Sequence, residues 1–413
     1  MIKKLTKNLD AYLVSLILNI NVVRFLLGID GTNAMILMLY VVCIIFLYRS
    51  NIKNVCRIYR SSSQVRYNIT YWCLMLAYSL VTAALVTQEL VMFFKLSVTI
   101  LIAILCFGLS IQKIRIILLS FLSLNILYGL IILLYPDKVL ANDGTSLTYL
   151  NLTITLGLCL TLSLVGVVFY YYNSVRKKLI IALGASFFFF FAIFPFPARG
   201  VMLFPPLIAL LMALLNCKNH FAKFNVIIVA LVVAISGAVA YFVSNSSDYA
   251  LAHMTNLFEN TEGESRVVVW EDAINTVVDK LWMFWGGGIN AFEKLKGHYP
   301  HNIFLHILAD FGVFGLLGFI PVVVFTFKRY FKVNRRKTAV DIHEINFMCF
   351  ASFLYYLLTF SKSFSLYDSC PFLIIISLCM SIPYRSLTFG NSVDITHILP
   401  KQDCHNESNP SLL

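Results

Sequence analysis

The chain has 413 residues, of which 59% are hydrophobic and only 13% are charged, and its mean hydropathy is +0.82. A soluble globular domain carries about 25% charged residues, so this composition excludes one and predicts a protein that lies in a membrane. The formal net charge of +12 would favour a nucleic-acid partner in a soluble protein, but the cytoplasmic loops of membrane proteins carry the same excess of lysine and arginine.

Apolar runs recur along the whole chain, and a run of about 20 residues crosses about 30 Å of hydrocarbon. We therefore predict an all-α, polytopic helical membrane protein with about 12 transmembrane helices. The predicted spans are 11–28, 31–48, 69–87, 90–110, 116–135, 149–173, 179–194, 201–216, 224–244, 301–327, 343–360 and 370–384. They form a transmembrane domain over residues 1–384, and the polar tail 385–413 is predicted to be cytoplasmic and disordered.

Positive charge is distributed unevenly between the predicted loops, and this predicts the orientation of the chain. With the N-terminus inside, every cytoplasmic loop is basic, as the positive-inside rule requires. These loops carry Arg49, Lys53, Arg57, Arg60 and Arg66; Lys113 and Arg115; Arg176, Lys177 and Lys178; Lys218 and Lys223; and Lys328, Arg329, Lys332, Arg335, Arg336 and Lys337. Both termini are then cytoplasmic, and residues 245–300, with eight acidic and four basic side chains, form one large outer loop.

The first candidate for chemistry is Arg199, in the sequence Phe-Pro-Phe-Pro-Ala-Arg-Gly between two apolar runs. Pro195 and Pro197 are expected to break the helix near the outer surface, and Gly200 allows the backbone to turn. A charge near membrane depth is expensive and usually functional. The alternative is an interfacial arginine whose side chain reaches the lipid headgroups, but that role needs no helix broken by two prolines.

The large outer loop contains one segment with helical periodicity, which three consecutive glycines at 286–288 bring to an end. Its apolar stripe consists of Val267, Trp270, Ile274, Val277, Val278, Leu281 and Trp285. We predict an amphipathic helix over about residues 265–284 that lies along the membrane surface, with Arg266 at its start. Taken alone, Arg266 is equally consistent with an exposed base on an acidic loop.

His301 directly precedes the next apolar run. A histidine at an aqueous rim titrates near neutral pH and can accept a proton from a hydroxyl group. The alternative is a histidine that only caps the helix. A metal site with His298 is a weaker interpretation, because a spacing of three residues without a clear third ligand is not a typical zinc pattern. On the last outer loop, Tyr367 and Asp368 either hydrogen-bond a sugar or simply end a helix.

Other charged residues within the apolar runs have no assigned role. Arg24 and Lys95 have no evident partner in the sequence. Asp310 lies one helical turn after His306, on the same face, so these two side chains are able to satisfy each other.

Three short motifs resemble the O-antigen ligase and polymerase superfamily of bacterial envelopes. The first is Ala198-Arg199-Gly200 after a broken helix, the second is Ser265-Arg266 with Trp270, and the third is His301-Asn302-x-x-Leu305 with Gly312 and Gly315 after a glycine-rich approach. The resemblance covers residues 186–328, roughly a third of the chain. Elsewhere the agreement extends only to the number of spans and the large outer loop.

This resemblance implies a glycosyltransferase that acts on oligosaccharides carried by undecaprenyl diphosphate, at the periplasmic face of the bacterial inner membrane and without a metal or other cofactor. It implies that Arg199 and Arg266 bind the diphosphate while His301 activates the acceptor hydroxyl. Asn302, Tyr367 and Asp368 are the residues predicted to contact the sugar. The expected partners are the lipid-linked oligosaccharide, the lipid bilayer and a chain-length regulator protein, with no nucleic acid.

Two functions share these motifs. A polymerase joins one lipid-linked repeat unit to another, whereas a ligase moves the finished chain onto the lipid A core. We favour the polymerase, because the sequence Ser-Leu-Tyr-Asp-Ser-Cys-Pro-Phe-Leu near the end of the chain resembles polymerases. The alternative from another class is a lipid-linked oligosaccharide flippase, but a transporter places its charges midway through the bilayer, and here they cluster at one face.

Overall fold

The computed structural model describes residues 8–27, 34–135, 146–193, 199–216, 265–335, 340–362 and 365–382. All regular secondary structure in these ranges is helical, which confirms the all-α prediction there. The helices are α1 (Leu9–Leu18), α2 (Ile20–Leu27), α3 (Ala34–Ser61), α4 (Ser63–Thr82), α5 (Leu90–Cys106), α6 (Ile111–Leu134), α7 (Ser146–Tyr172), α8 (Arg176–Ile193), α9 (Arg199–Asn216), α10 (Ser265–Asp279), α11 (Ala291–Lys296), α12 (Ile303–Asn334), α13 (Val340–Lys362) and α14 (Cys370–Ser381). A π-helix (Ala83–Thr87) extends α4, and a short 3-10 helix (Leu366–Asp368) precedes α14.

The described helices agree with a membrane protein but do not confirm the predicted number of spans. Five are long and apolar enough to cross a membrane: Leu37–Ser61, Ser63–Thr87, Ile111–Leu134, Thr153–Tyr172 and Ile303–Asn334. The pair α1 and α2, bent by 80°, is a sixth candidate. Three shorter apolar helices are Leu90–Cys106, Val201–Asn216 and Cys370–Ser381. The predicted span 224–244, the first part of the outer loop up to residue 264 and the tail 385–413 lie outside the described residues.

Helix α7 is the centre of the bundle. In its span Thr153–Tyr172, 83% of the residues in an apolar 18-residue stretch are buried by other parts of the chain. The corresponding share for Leu37–Ser61 in α3 is 22%. It packs against α8, α9 and α13. The chain therefore surrounds α7 with protein and leaves α3 at the periphery, where lipid is the expected solvent for its apolar side chains.

Short turns and basic side chains meet at one end of the bundle, which we call the basic end. Asn54 Nδ2, near the end of α3, donates a hydrogen bond to the Gly108 carbonyl in the turn after α5, at 3.3 Å. At the start of α6, Lys113 forms a 2.6 Å salt bridge with Asp10. Glu344 of α13 pairs with Lys178 of α8 at 2.9 Å. These contacts join five helices at the level where the sequence predicts cytoplasmic loops.

The opposite end, which we call the loop end, contains α10, α11 and the segments between them and α12. Several hydrogen bonds join this region to the rest of the bundle. Ile289 N donates to Thr82 Oγ1 at 3.2 Å, and Lys294 Nζ donates to the Thr87 carbonyl at 2.5 Å. Asn290 N donates to Tyr367 Oη at 2.7 Å. This region is thus fastened to the end of α4, to its π-helical extension and to the 3-10 helix rather than held only by its own connections.

Candidate active site at the loop end

The three residues predicted for the active site each lie at or near the start of a helix. Arg199 is the first residue of α9, Arg266 is the second residue of α10, and His301 lies two residues before α12. The side-chain positions of Arg199 and Arg266 lie outside what the structure describes. Their convergence on His301 therefore stays a prediction.

The segment in front of α12 separates the roles of His301 and Asn302. Asn302 caps the helix, because its Oδ1 accepts hydrogen bonds from the backbone N–H groups of Phe304 at 2.9 Å and Leu305 at 3.3 Å. Capping, the alternative role for His301, is therefore filled by its neighbour. The backbone of His301 has a φ of +54°, in the left-handed region that few residues other than glycine adopt.

His301 is half-buried, and its ring stands 4.1 Å from the Tyr299 ring, centroid to centroid. The aromatic contact and the strained backbone together restrict the direction in which the imidazole can point. Strain of this kind is found most often at functional sites. The sugar contact predicted for Asn302 stays a prediction.

Helix α12 is broken at Gly312, where φ is +69° and ψ is −169°. The break is filled by the glycine turn, which we define as residues 280–288. Gly287 N donates to the Ala309 carbonyl at 2.8 Å, and Val313 N donates to the Met283 carbonyl at 2.7 Å. A Cβ atom at Gly312 would lie 2.1 Å from the Phe284 carbonyl oxygen, so only glycine fits there.

The second close approach in this region involves Gly286. A Cβ atom on Gly286 would lie 2.3 Å from the backbone of Asp310, and Gly288 N donates to the Asp310 carbonyl at 3.1 Å. The glycine residues that the sequence analysis interpreted as a helix stop therefore have a second use. They allow two backbone segments to lie side by side, which satisfies the polar groups exposed by the break in α12.

Asp310 lies at the centre of a buried polar cluster, formed by His306, Asp310, Tyr367 and Asn290. The Asp310 side chain is fully buried. Its Oδ2 accepts a hydrogen bond from Asn290 N at 3.0 Å and another from the Tyr367 hydroxyl. Burial, followed by the proximity of Asp310, raises the pKa of Tyr367 well above its ordinary value, so this hydroxyl keeps its proton and remains a donor.

The hydrogen bond to His306 determines its tautomer. Leu366 N donates to His306 Nδ1 at 3.3 Å, so Nδ1 carries the lone pair and the ring proton of a neutral imidazole is on Nε2. Nε2 lies 3.3 Å from Asp310 Oδ2, although the angle is too poor for a hydrogen bond. The cluster thus ties α12, the segment after the glycine turn and the 3-10 helix to one carboxyl group.

Two more charged groups surround this buried cluster. Lys95 of α5 forms a 2.8 Å salt bridge with Asp368, and both side chains are partly exposed. Glu293 of α11 is half-buried. Burial raises the pKa of the Glu293 carboxyl above its ordinary value. Lys294 and Lys296, on the same helix as Glu293, are exposed, so side chains of both charge signs lie at this edge of the loop end.

Tyr367 and Asp368, both predicted to contact the sugar, differ in their exposure to solvent. Tyr367 is 2% exposed, and its hydroxyl is used by Asp310 and Asn290. It supports the site from inside the protein, and its contact with a sugar stays a prediction. Asp368 is partly exposed, so its contact with a sugar stays a prediction.

Helix α10 is shorter than predicted, and only part of its predicted apolar stripe contacts protein. It ends at Asp279 rather than near residue 284. Ala273 and Val277 are 1% and 3% exposed and pack in a cluster with Phe292 and Ala309. Val267 and Ile274 of the predicted stripe are instead 42% and 48% exposed. The helix is amphipathic as predicted, but the face in contact with protein is narrower and is centred on Ala273.

The sequence analysis missed Asn290, Glu293 and the pairing of Lys95 with Asp368. Asn290 acts through its backbone, so its side-chain type gives no signal. Lys95 and Asp368 are 273 residues apart, and the one available signal was the isolation of Lys95 among apolar residues. In the described ranges, no three His, Cys, Asp or Glu side chains come together in a group that could hold a metal ion. Independence from metal stays a prediction.

Comparison with known proteins relates part of the chain to one protein family. No curated protein matches the chain significantly. Residues 181–320 match the sequence model of the O-antigen ligase family. The match includes α9, α10, α11, the glycine turn and the first half of α12, and therefore most of the loop end. This segment confirms the resemblance to the O-antigen ligase and polymerase superfamily, whose members are glycosyltransferase-like enzymes.

Proposed function

We propose that this protein is a membrane glycosyltransferase that polymerises O-antigen, or capsular polysaccharide, from repeat units carried by undecaprenyl diphosphate. It works at the periplasmic face of the inner membrane, with both chain termini in the cytoplasm. The observation that carries the proposal is the family match over residues 181–320, because this segment includes Arg199, Arg266 and His301.

In the proposed reaction, an acceptor hydroxyl attacks the anomeric carbon of the donor sugar. A glycosidic C–O bond forms while the bond from the anomeric carbon to the diphosphate breaks, and the electron pair leaves with undecaprenyl diphosphate. His301 takes the hydroxyl proton. The forked, permanently charged guanidinium groups of Arg199 and Arg266 bind the diphosphate and stabilise its developing charge, which is the work that a metal ion would otherwise do.

Features of the loop end support this assignment of roles. Asn302 provides the helix cap, so His301 is not needed for that purpose. Arg199 and Arg266 begin helices α9 and α10, and the N–H groups at a helix start favour a bound phosphate. Each predicted arginine would therefore act together with a helix terminus on the same anion.

The alternative is a ligase that transfers the finished chain to the lipid A core. The family match is equally compatible with it, and our preference for the polymerase rests on the sequence of residues 365–373. For the polymerase we also propose a chain-length regulator protein as a partner in the membrane.

The lipopolysaccharide of a deletion strain, complemented with the wild-type gene as control, tests the proposal. Loss of a polymerase leaves core with a single repeat unit on a gel. Bare core would overturn the polymerase in favour of the ligase. Bare core with repeat units trapped on the cytoplasmic side would overturn both in favour of the flippase.

A further inference from the structure

The glycine turn exposes large apolar side chains although its backbone is firmly held. Leu281, Phe284 and Trp285 are 86%, 59% and 68% exposed. Single exposed apolar residues are common on any protein, but a contiguous group of them marks an interaction surface. From the sequence, Leu281 and Trp285 were assigned to the apolar stripe of a helix that lies along the membrane surface.

Several backbone groups of this turn are hydrogen-bonded, either within the turn or to neighbouring helices. Trp282 N, Gly286 N, Gly287 N and Gly288 N all donate to main-chain carbonyls, at distances between 2.8 and 3.1 Å. The Met283 carbonyl accepts from Val313 N, and the Trp285 carbonyl accepts from the Tyr78 hydroxyl. Irregular backbone at membrane depth needs partners of this kind, because no water is present there to replace them.

The position of the turn along α12 indicates its depth. The rings of Phe284 and Trp285 lie 6.3 and 5.0 Å from the ring of Phe314. From Phe314 to Phe327, just before Lys328, α12 rises about 20 Å at 1.5 Å per residue. The hydrocarbon core is about 30 Å thick. With Lys328 at one boundary, Phe314 lies roughly 10 Å inside the other, and any tilt of α12 places it deeper.

The exposed side chains also continue a surface that faces lipid. Beyond Phe314, α12 presents Leu317, Ile320 and Val324 at helical spacing, and these are 57%, 44% and 39% exposed. This stripe belongs to one of the helices that can cross the membrane. Because Trp285 packs directly on Phe314, the turn and the stripe form one uninterrupted apolar face.

We propose that residues 281–285 form a turn embedded in the lipid of the membrane leaflet at the loop end, with Leu281, Phe284 and Trp285 in contact with acyl chains. The predicted loop 245–300 would then not lie entirely in the aqueous phase. It re-enters the membrane between α10 and the break in α12. This proposal does not depend on the proposed function.

Tryptophan fluorescence of the full-length protein in lipid nanodiscs tests this proposal. The chain has four tryptophans, so the contribution of Trp285 is the difference between the wild type and Trp285→Phe. The matched control is Trp270→Phe, which removes a tryptophan on α10. We expect the Trp285 component to be quenched several-fold more strongly by brominated lipid than by iodide in solution, and more strongly than the Trp270 component.

Two outcomes would overturn the proposal. Strong quenching of the Trp285 component by iodide would place the turn in water. Protection from both quenchers would show that protein covers the turn, either residues 217–264 of the same chain or a second copy.

A second variant tests the proposal through the sign of its effect. Leu281 has a φ of +58°, a conformation that asparagine adopts more readily than leucine. If its side chain faces water, Leu281→Asn should raise the thermal unfolding midpoint in nanodiscs. If it faces lipid, as proposed, the polar amide should lower the midpoint by several degrees. The control is Val268→Asn on α10, where the side chain is 54% exposed, and for which only a small decrease is expected.

Discussion

Two buried carboxyl groups, at opposite ends of the bundle, are satisfied in different ways. At the basic end, Asp10 is 3% exposed and accepts hydrogen bonds from Ser50 and Asn51 in addition to its salt bridge with Lys113. At the loop end, Asp310 is fully buried, and it accepts hydrogen bonds from a backbone amide and a phenol, with the His306 ring 3.3 Å away. Among the described residues, no lysine or arginine forms a salt bridge with Asp310.

The presence of a cationic partner at Asp10 and its absence at Asp310, within the described part of the chain, indicate that Asp10 has a structural role and Asp310 a functional one. Asp10 and Lys113 neutralise each other, so this pair needs no further partner. A buried carboxyl group without a cation is expensive, and such groups in membrane proteins are usually retained for function. We therefore interpret the basic end as scaffold and the loop end as the working part of the molecule.

The largest expected effect concerns the predicted catalytic residues at the loop end. His301→Ala, Arg266→Ala and Arg199→Lys should each reduce chain extension by about 10²–10⁴-fold, because each removes a proton acceptor or the forked geometry of a diphosphate ligand. The measurement is the lipopolysaccharide ladder of complemented deletion strains, with the amount of protein in the membrane checked by immunoblot.

A charged residue at the basic end is the control for these substitutions. Arg115 is 41% exposed and lies 3.7 Å from Glu344, an arrangement worth at most about 1 kcal/mol. Arg115→Ala should therefore leave the ladder unchanged. A wild-type ladder from His301→Ala would remove His301 from the proposed site.

The second prediction compares the effects of replacing each of the two carboxyl groups by an amide. Asp10→Asn leaves the partly buried Lys113 ammonium without an anion and should lower the free energy of unfolding by at most about 3–5 kcal/mol, the range for a fully buried pair. Activity per folded molecule should remain. Asp310→Asn keeps an oxygen that can accept from Asn290 and Tyr367, so stability should change little while activity falls. Thermal unfolding and transfer rates of the purified variants measure both quantities.

The contrast between these two variants decides whether the comparison holds. If Asp310→Asn unfolds like Asp10→Asn and retains full activity in its folded fraction, both carboxyl groups are structural. If Asp10→Asn loses activity while it remains folded, the basic end is more than scaffold.

The third prediction concerns glycine. Gly312→Ala would place a methyl group against the Phe284 carbonyl oxygen and force a residue into a conformation that glycine alone tolerates. It should destabilise the protein by about 1–3 kcal/mol. Gly184, in the middle of α8, has no neighbouring atom within 4 Å of an added Cβ. Gly184→Ala should stabilise the protein by up to about 1 kcal/mol. Equal effects of the two substitutions would contradict the packing of the glycine turn against α12.

The smallest expected effect is the contribution of Glu293 to the pH dependence of protein stability. Its pKa is raised in the folded protein, so between its ordinary and its raised value the folded state binds more protons than the unfolded state, and stability falls as pH rises. Glu293→Gln should therefore be slightly more stable than the wild type near pH 7. The difference should vanish as the pH falls below the ordinary glutamate value, near 4. Unfolding midpoints across this pH range measure it, with Asp272→Gln, a partly exposed carboxyl group on α10, as the control.

Features set by residues close together in the sequence, such as a helix, were predicted well. Features set by contacts between distant residues were predicted less well. Helical spacing predicted α10, and Ser265 begins it as expected. The end of α10 was wrong because the apolar stripe continues through Leu281 and Trp285, which belong to a turn. Periodicity cannot distinguish a helix from a turn whose apolar side chains happen to share the same spacing.

The candidate site was less predictable for a related reason. Asp310 and His306 were recognised as a possible pair because they lie one turn apart. Tyr367, their third partner, is 57 residues from Asp310, and nothing in a single sequence indicates such a contact. The break in α12 was also missed, because Gly312 stands within a continuous apolar run where a glycine is unremarkable.

The fastening of the glycine turn to α12 has a consequence for the order in which the chain folds. Asn290 reaches Asp310 across only 20 residues, whereas its contact with Tyr367 spans 77 and the bond from Tyr78 to Trp285 spans 207. The entropy lost in closing a loop increases with its length, by about 0.6 kcal/mol for each doubling. The hairpin of α10, the glycine turn and α12 is therefore expected to form first, and α4 and the 3-10 helix to dock on it later. A nascent chain that has emerged only as far as α12 already contains every residue of that hairpin.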